Sequence, residues 1–73
     1  MSDNAIDRLK EMVNKAFLYQ NEEVVILGYC DGIGDDGTEV EIYLNNGKTL
    51  VFSMFDLASK LNRFRAITNT VVV

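Results

Sequence analysis

Residues Glu39 to Ser53 read EVEIYLNNGKTLVFS, two segments of alternating apolar and polar residues around an Asn-Gly pair, and that pattern specifies a β-hairpin. Two registers compete. With Asn46 and Gly47 alone as a type I′ loop, Ile42 faces Val51 and Glu41 faces Phe52, so each face of the ribbon is half apolar. With Asn45, Asn46 and Gly47 as a three-residue loop, Gly47 left-handed in a G1 bulge, Val40 opposes Phe52 and Ile42 opposes Leu50. Only this second register leaves one face wholly apolar, with Leu44 and Lys48 at its tip. Because a slip of one residue turns a whole strand over, it is the register predicted. Val40, Ile42, Leu44, Leu50 and Phe52 then face the core, and Glu39, Glu41, Tyr43, Thr49, Val51 and Ser53 face outward.

Upstream of the hairpin, Asp31 to Thr38 (DGIGDDGT) is a turn-rich loop. Before it, Val24 to Cys30 (VVILGYC) carries apolar residues at both parities. Val24, Ile26 and Cys30 share one face and Val25, Leu27 and Tyr29 the other, so this strand is expected to be covered on both sides. The cover would come from a helix on one side and from the curl of a small barrel, a second helix or another subunit on the other. Gly28 in mid-strand signals a bulge or bend, hence a curved sheet. At the start of the chain Asn4, or Ser2 or Asp3, suits an N-cap with Asp7 in the first turn. Ile6, Leu9, Val13, Ala16 and Phe17 form a helical stripe with Met12 at its margin, and Glu11 and Lys15 are spaced for an i,i+4 pair. Leu18 falls off that stripe. The helix is therefore predicted to end between Phe17 and Tyr19, with an extended Phe17 to Tyr19 turning through Gln20 to Glu23 as the alternative.

Downstream of Ser53 the apolar period changes from two to 3.6. Ser53 and Asp56 resemble a cap and an acidic first turn, and Met54, Leu57, Ala58, Leu61 and Phe64 form the stripe. The chain closes on Thr70 to Val73, an apolar, β-prone segment suited to the edge of a sheet or to a second chain. Its abrupt end also fits a domain from a longer chain. The fold class expected is α+β: one small domain over residues 1–73, with an N-terminal helix, a curved antiparallel sheet of three to five strands, a second helix and a short C-terminal strand. An SH3-like barrel with the helix appended is the alternative.

The 48% hydrophobic content, without proline and with only 5 glycines, belongs to a folded domain rather than a disordered chain. A chain this short buries only about 60% of its unfolded surface, so a modest stability is expected. The single cysteine, Cys30, allows no internal disulfide, and the absence of histidine removes the usual small zinc sites. A reducing compartment, the cytoplasm, is expected. The polar, acidic start and the lack of a long apolar run indicate neither a signal peptide nor a membrane span. The net charge of -4 is unevenly spread. Glu22, Glu23, Asp31, Asp35, Asp36, Glu39 and Glu41 occupy a stretch with no base, and Lys48, Lys60, Arg63 and Arg65 follow with Asp56 as the one acid among them.

No residue pattern supports catalysis. A Cys30 or serine nucleophile lacks a histidine base, and the adjacent pairs Glu22–Glu23 and Asp35–Asp36 carry no sign of the burial that tunes a general acid. Asp31, Asp35, Asp36 and Glu39 have hard oxygen ligands, but Ile33 breaks the calcium-loop pattern and the glycines account for turn geometry. No enzyme activity, cofactor or metal is expected. The sequence points to a small intracellular adaptor or self-associating module. Glu39, Glu41, Tyr43 and Val51 would form a surface for a basic protein partner, and Val71, Val72 and Val73 would pair with a second copy. The same residue types suit a solvated strand face. A helix followed by a bent antiparallel sheet is also similar in architecture to SH3-like and Sm-like barrels. That resemblance implies the alternative of a nucleic-acid-binding module, with stacking by Tyr43 and phosphate contacts by Lys48, Lys60, Arg63 and Arg65.

Overall fold

The computed structural model describes residues 4–67. In order, its elements are α1 (Asn4–Met12), β1 (Ala16–Tyr19), β2 (Glu22–Ile33), β3 (Glu39–Leu44), β4 (Thr49–Ser53), a 3-10 turn (Met54–Asp56), α2 (Leu57–Leu61) and β5 (Arg65–Ala66). The strands make one antiparallel sheet ordered β4-β3-β2-β1-β5, so the chain is α+β as its sequence predicts. The sheet is open. β4 and β5 end it on opposite sides, so among the described residues the closed barrel does not form. What remains of that alternative is the role of β2, whose 12 residues serve both halves of a bent sheet.

The β3–β4 hairpin adopts the predicted register, with Val40 opposite Phe52, Glu41 opposite Val51 and Ile42 opposite Leu50. Gly47 has φ 89°, its N–H donates to the Leu44 carbonyl at 3.1 Å, and the Leu44 N–H donates to the Lys48 carbonyl at 3.0 Å. These are the bonds of a tight turn followed by a G1 bulge. A Cβ on Gly47 would meet nothing within 4 Å, so Gly47→Ala is expected to cost only the left-handed strain, about 1–2 kcal/mol. Urea unfolding measures this, and a neutral result would mean that the loop relaxes into another turn.

β2 departs from expectation. Its register against β3 shifts between Ile26 and Gly28 and again between Asp31 and Ile33. The extra residue at Leu27 reverses the parity of the strand, because a bulge puts two residues against one. Val24 and Ile26 point into the core before it, and Tyr29 does so after it, opposite Ile42. Among the described residues the strand is therefore covered on one side: Leu27 is 55% exposed, Val25 is half-buried and Cys30, expected in the core, is exposed.

α1 ends at Met12 rather than near Tyr19. Asn14 takes φ 69°, a left-handed residue of the kind that closes helices and that asparagine tolerates well, and its N–H donates to the Ile26 carbonyl at 2.6 Å. Lys15 thus lies beyond the helix that would have paired it with Glu11. Ala16 to Tyr19 form a strand instead, facing Val25 to Glu22, and Gln20 and Asn21 make the turn with φ 52° and 66°, the two positive φ values of a type I′ loop. The extended alternative for Phe17 to Tyr19 is the one observed.

After β4 the Ser53 hydroxyl accepts from the Phe55 N–H at 3.1 Å, capping the 3-10 turn, and α2 is a short helix that buries Leu57 and Leu61. Ala58, expected on its apolar stripe, is exposed. β5 pairs with β1 through Leu18–Arg65 and Phe17–Ala66. The continuation to Val73, and with it the expected pairing by Val71 to Val73, lies outside the described residues, as do the candidate caps Ser2 and Asp3. Leu9 of α1, Leu57 and Leu61 of α2, Phe64, and the inward residues Phe17, Val24, Ile26, Val40, Ile42 and Leu44 form one core. Both helices therefore lie on the same side of the sheet. Leu50 and Phe52 are only partly buried at its margin, and the Lys60 ammonium stands 5.9 Å from the centre of the Phe52 ring.

Candidate interaction face

With both helices on one side, the other side of the sheet faces away from the core, and strand parity fixes what it shows. From β1 comes Leu18, from β2 Glu23, Val25 and Leu27, from β3 Glu39, Glu41 and Tyr43, and from β4 Thr49 and Val51. Leu18 (37% exposed), Leu27 (55%), Tyr43 (37%) and Val51 (49%) are large apolar side chains on this face, accompanied by three glutamates and, at the β5 edge, by Arg65.

Tyr43 is the best-positioned member. It pairs with Gly28 of β2, and its ring lies close enough to that glycine that a Cβ there would meet it in ordinary van der Waals contact at 4.0 Å. Its hydroxyl donates to Glu41 Oε1 at 2.8 Å. That hydrogen bond, followed by some loss of solvent and the negative charges of Glu41 and Cys30, raises the Tyr43 pKa above the usual phenol value of 10.0. A raised pKa means that the folded state holds the phenolic proton more tightly than the unfolded chain does. The contribution to stability is present below the unfolded phenol pKa and is lost as pH rises through the folded one. In an ultraviolet titration of the folded protein Tyr43 is expected to ionise above the usual phenol value. Glu41→Gln should bring that transition down, and an unchanged titration would mean that the hydrogen bond is not made in solution.

The other predicted site residues are placed less coherently. Glu39 is exposed and its side chain lies over Gly34, where a Cβ would stand 2.8 Å from the carboxylate. Asp31, Asp35 and Asp36 do not converge with it: no group of three or more His, Cys, Asp or Glu among the described residues is placed to hold a metal ion. Lys48 is at the hairpin tip, 3.9 Å from Glu22, Lys60 covers Phe52, and Arg63 and Arg65 are exposed around the end of α2 and in β5. Among the described residues no polar or charged residue is buried. On the helical side, Met12, Phe17, Leu61 and Phe64 floor a shallow groove of about 370 Å³ with Arg8, Glu11 and Lys15 at its rim.

Four large exposed apolar residues among those described have no counterpart in the sequence-based site, one of them Ile67, 39% exposed just after β5. Leu18 was already out of phase with the α1 stripe, which was a usable signal. Leu27 becomes exposed only through the bulge. Phe55, 84% exposed, falls off the α2 stripe and stands in the 3-10 turn beside the end of β4. No protein-family model matches the chain, and no curated protein or solved structure shows significant similarity to it. No helix among the described residues is long and apolar enough to cross a membrane.

Proposed function

We propose that this chain is a small, non-catalytic protein-interaction module of the cytoplasm, and that its outer sheet face is the docking surface. The observation that supports this is the gathering of Leu18, Leu27, Tyr43 and Val51 on the side of the sheet that neither helix covers. Apolar residues dispersed singly over a surface need no partner, whereas several on one face, ringed by charge, fit a binding patch. Glu23, Glu39 and Glu41 set the sign: the partner presents basic and apolar side chains, and steering by the three carboxylates speeds encounter at low salt. The single exposed cysteine suits a reducing compartment.

The test compares the wild-type protein with Leu27→Lys and Glu41→Lys as bait for proteins of the source cell, at low and high salt. A partner of high isoelectric point, retained by the wild type and lost with either variant, is the expected result. Equal recovery by all three baits would remove the outer face from consideration. The nucleic-acid alternative draws on Lys48, Lys60, Arg63 and Arg65, of which Lys48 and Lys60 already have neighbours within the fold. It predicts retention of RNA or DNA at low salt with a steep salt dependence, and lack of retention there ends it.

A further inference from the structure

The β4 edge lacks the devices that ordinarily stop an edge strand from pairing. β4 itself reads TLVFS over Thr49–Ser53, with no charge, no proline and no glycine, and the uncharged run continues through Met54 and Phe55 in the 3-10 turn. Natural edges are blunted by lysines, prolines, bulges or a covering element, and an uncharged, β-prone strand without proline is of the type that accepts another strand. Among the described residues nothing pairs with the far side of β4. Its side chains are left incompletely covered as well: Leu50 and Phe52 are partly buried at the core margin and Val51 is 49% exposed, with Phe55 in the turn that follows 84% exposed. The opposite edge differs, since β5 has only 2 residues, one of them Arg65, with Arg63 just before it.

The charges at the two ends of β4 select both partner and direction. Lys48 precedes the strand and Asp56 follows it. Two copies of β4 laid side by side in parallel would put like charges together. Laid antiparallel, they bring Lys48 of each copy to the Asp56 end of the other, an approach for which the 68% exposed Lys48 side chain exchanges its solvated 3.9 Å pairing with Glu22. A two-fold axis at Val51 sets Thr49 against Ser53, Leu50 against Phe52 and Val51 against its own symmetry mate. Apolar side chains then meet apolar ones along the core-side row, where the Lys60 ammonium stands 5.9 Å from the Phe52 ring, and β4 itself places no charge in the seam. We propose that the protein forms a two-fold homodimer by antiparallel pairing of its β4 edges, joining the two five-stranded sheets into one continuous sheet. Two-fold pairing of identical surfaces is the commonest closed assembly. Joining β4 to the β5 of the next copy would offer an edge of two residues among those described and would leave the assembly open-ended.

The inference goes beyond the outer-face reading and fails independently of it, because it depends on the strand edge and is read by sedimentation rather than by partner capture. The full chain is expected to show a monomer–dimer equilibrium in sedimentation equilibrium. In a Cys30→Ser background, Val51→Cys should cross-link into a covalent dimer on mild oxidation, since facing Cβ atoms in an antiparallel pair stand about 4.5–5.5 Å apart. Leu18→Cys, on a strand remote from the seam, should not. Val51→Lys, which puts two lysines face to face, should weaken dimerisation at least about tenfold while circular dichroism and the unfolding transition stay those of a folded monomer. A monomer at every concentration overturns the proposal. So does an assembly that is larger than a dimer, cross-links through Leu18→Cys in place of Val51→Cys, or is indifferent to Val51→Lys.

Discussion

Phe64→Ala is expected to be the most destabilising single truncation, removing about 3–5 kcal/mol of unfolding free energy. Phe64 is 6% exposed although it belongs to no regular element, since it lies between α2 and β5. Its ring stacks on Tyr19 at 4.4 Å between centroids and meets Phe17 edge-on at 6.0 Å. These contacts tie the C-terminal part of the chain to β1, and aromatic pairs of this kind add about 0.5–1.5 kcal/mol beyond the area they bury. A domain of 73 residues has roughly 4–11 kcal/mol of stability in all, at about 0.05–0.15 kcal/mol per residue. The substitution therefore removes a large share of what holds the fold. Urea unfolding should show a much lower midpoint with the slope preserved, and Phe64→Leu should recover part of the loss. A loss below about 1 kcal/mol, the size of a surface substitution, would mean that Phe64 is not packed as described.

Ile42→Ala should cost about 2–5 kcal/mol, whereas Tyr43→Ala, one residue along the same strand, should cost far less. Ile42 is fully buried (0% exposed) while Tyr43 is 37% exposed, and the difference follows from the alternation of a strand covered on one face. Ile42 sits in β3 between Tyr29 of β2 and Leu50 of β4, so a cavity there has packed neighbours on both sides and little freedom to collapse. Phe52→Ala should fall between the two, because Phe52 lies at the core margin under the Lys60 ammonium. Similar losses for Ile42→Ala and Tyr43→Ala would contradict the assignment of faces on which both the core and the outer surface depend.

The β3–β4 hairpin was legible because its determinants are local. An Asn-Gly turn and strict alternation leave only one register with an apolar face, and that register is the observed one. The composition of the outer face around Glu41, Tyr43 and Val51 followed from it. The end of α1 was not legible by periodicity, because Ala16 and Phe17 satisfy a helical stripe and a strand face alike. What separates the two is the left-handed turn at Asn14 and the pairing of β1 with β2, and the second of these is a long-range contact. Cys30 and Leu27 were misplaced for a related reason. Their apolar character was evident, but the face to which each belongs depends on where the bulge falls, and a bulge is a disagreement in length between two strands that neither strand contains alone.

The sequence by itself determined the elements whose signals act over a few residues: the class of fold, the hairpin and its two faces, the change from strand to helical backbone after Ser53, and the separation of acidic from basic charge along the chain. Tertiary structure decided whatever depends on one strand meeting another. It made the sheet open, reversed the parity of β2 at Leu27, converted the end of a predicted helix into β1, and left Leu18, Leu27 and Phe55 uncovered. The physical reason is that side-chain alternation and turn chemistry are properties of neighbouring residues, whereas coverage depends on which surfaces the whole chain can bring together. The uncharged strand from Thr49 to Ser53 stands on that boundary: its composition is visible in the sequence, and its place at the edge of the sheet is not.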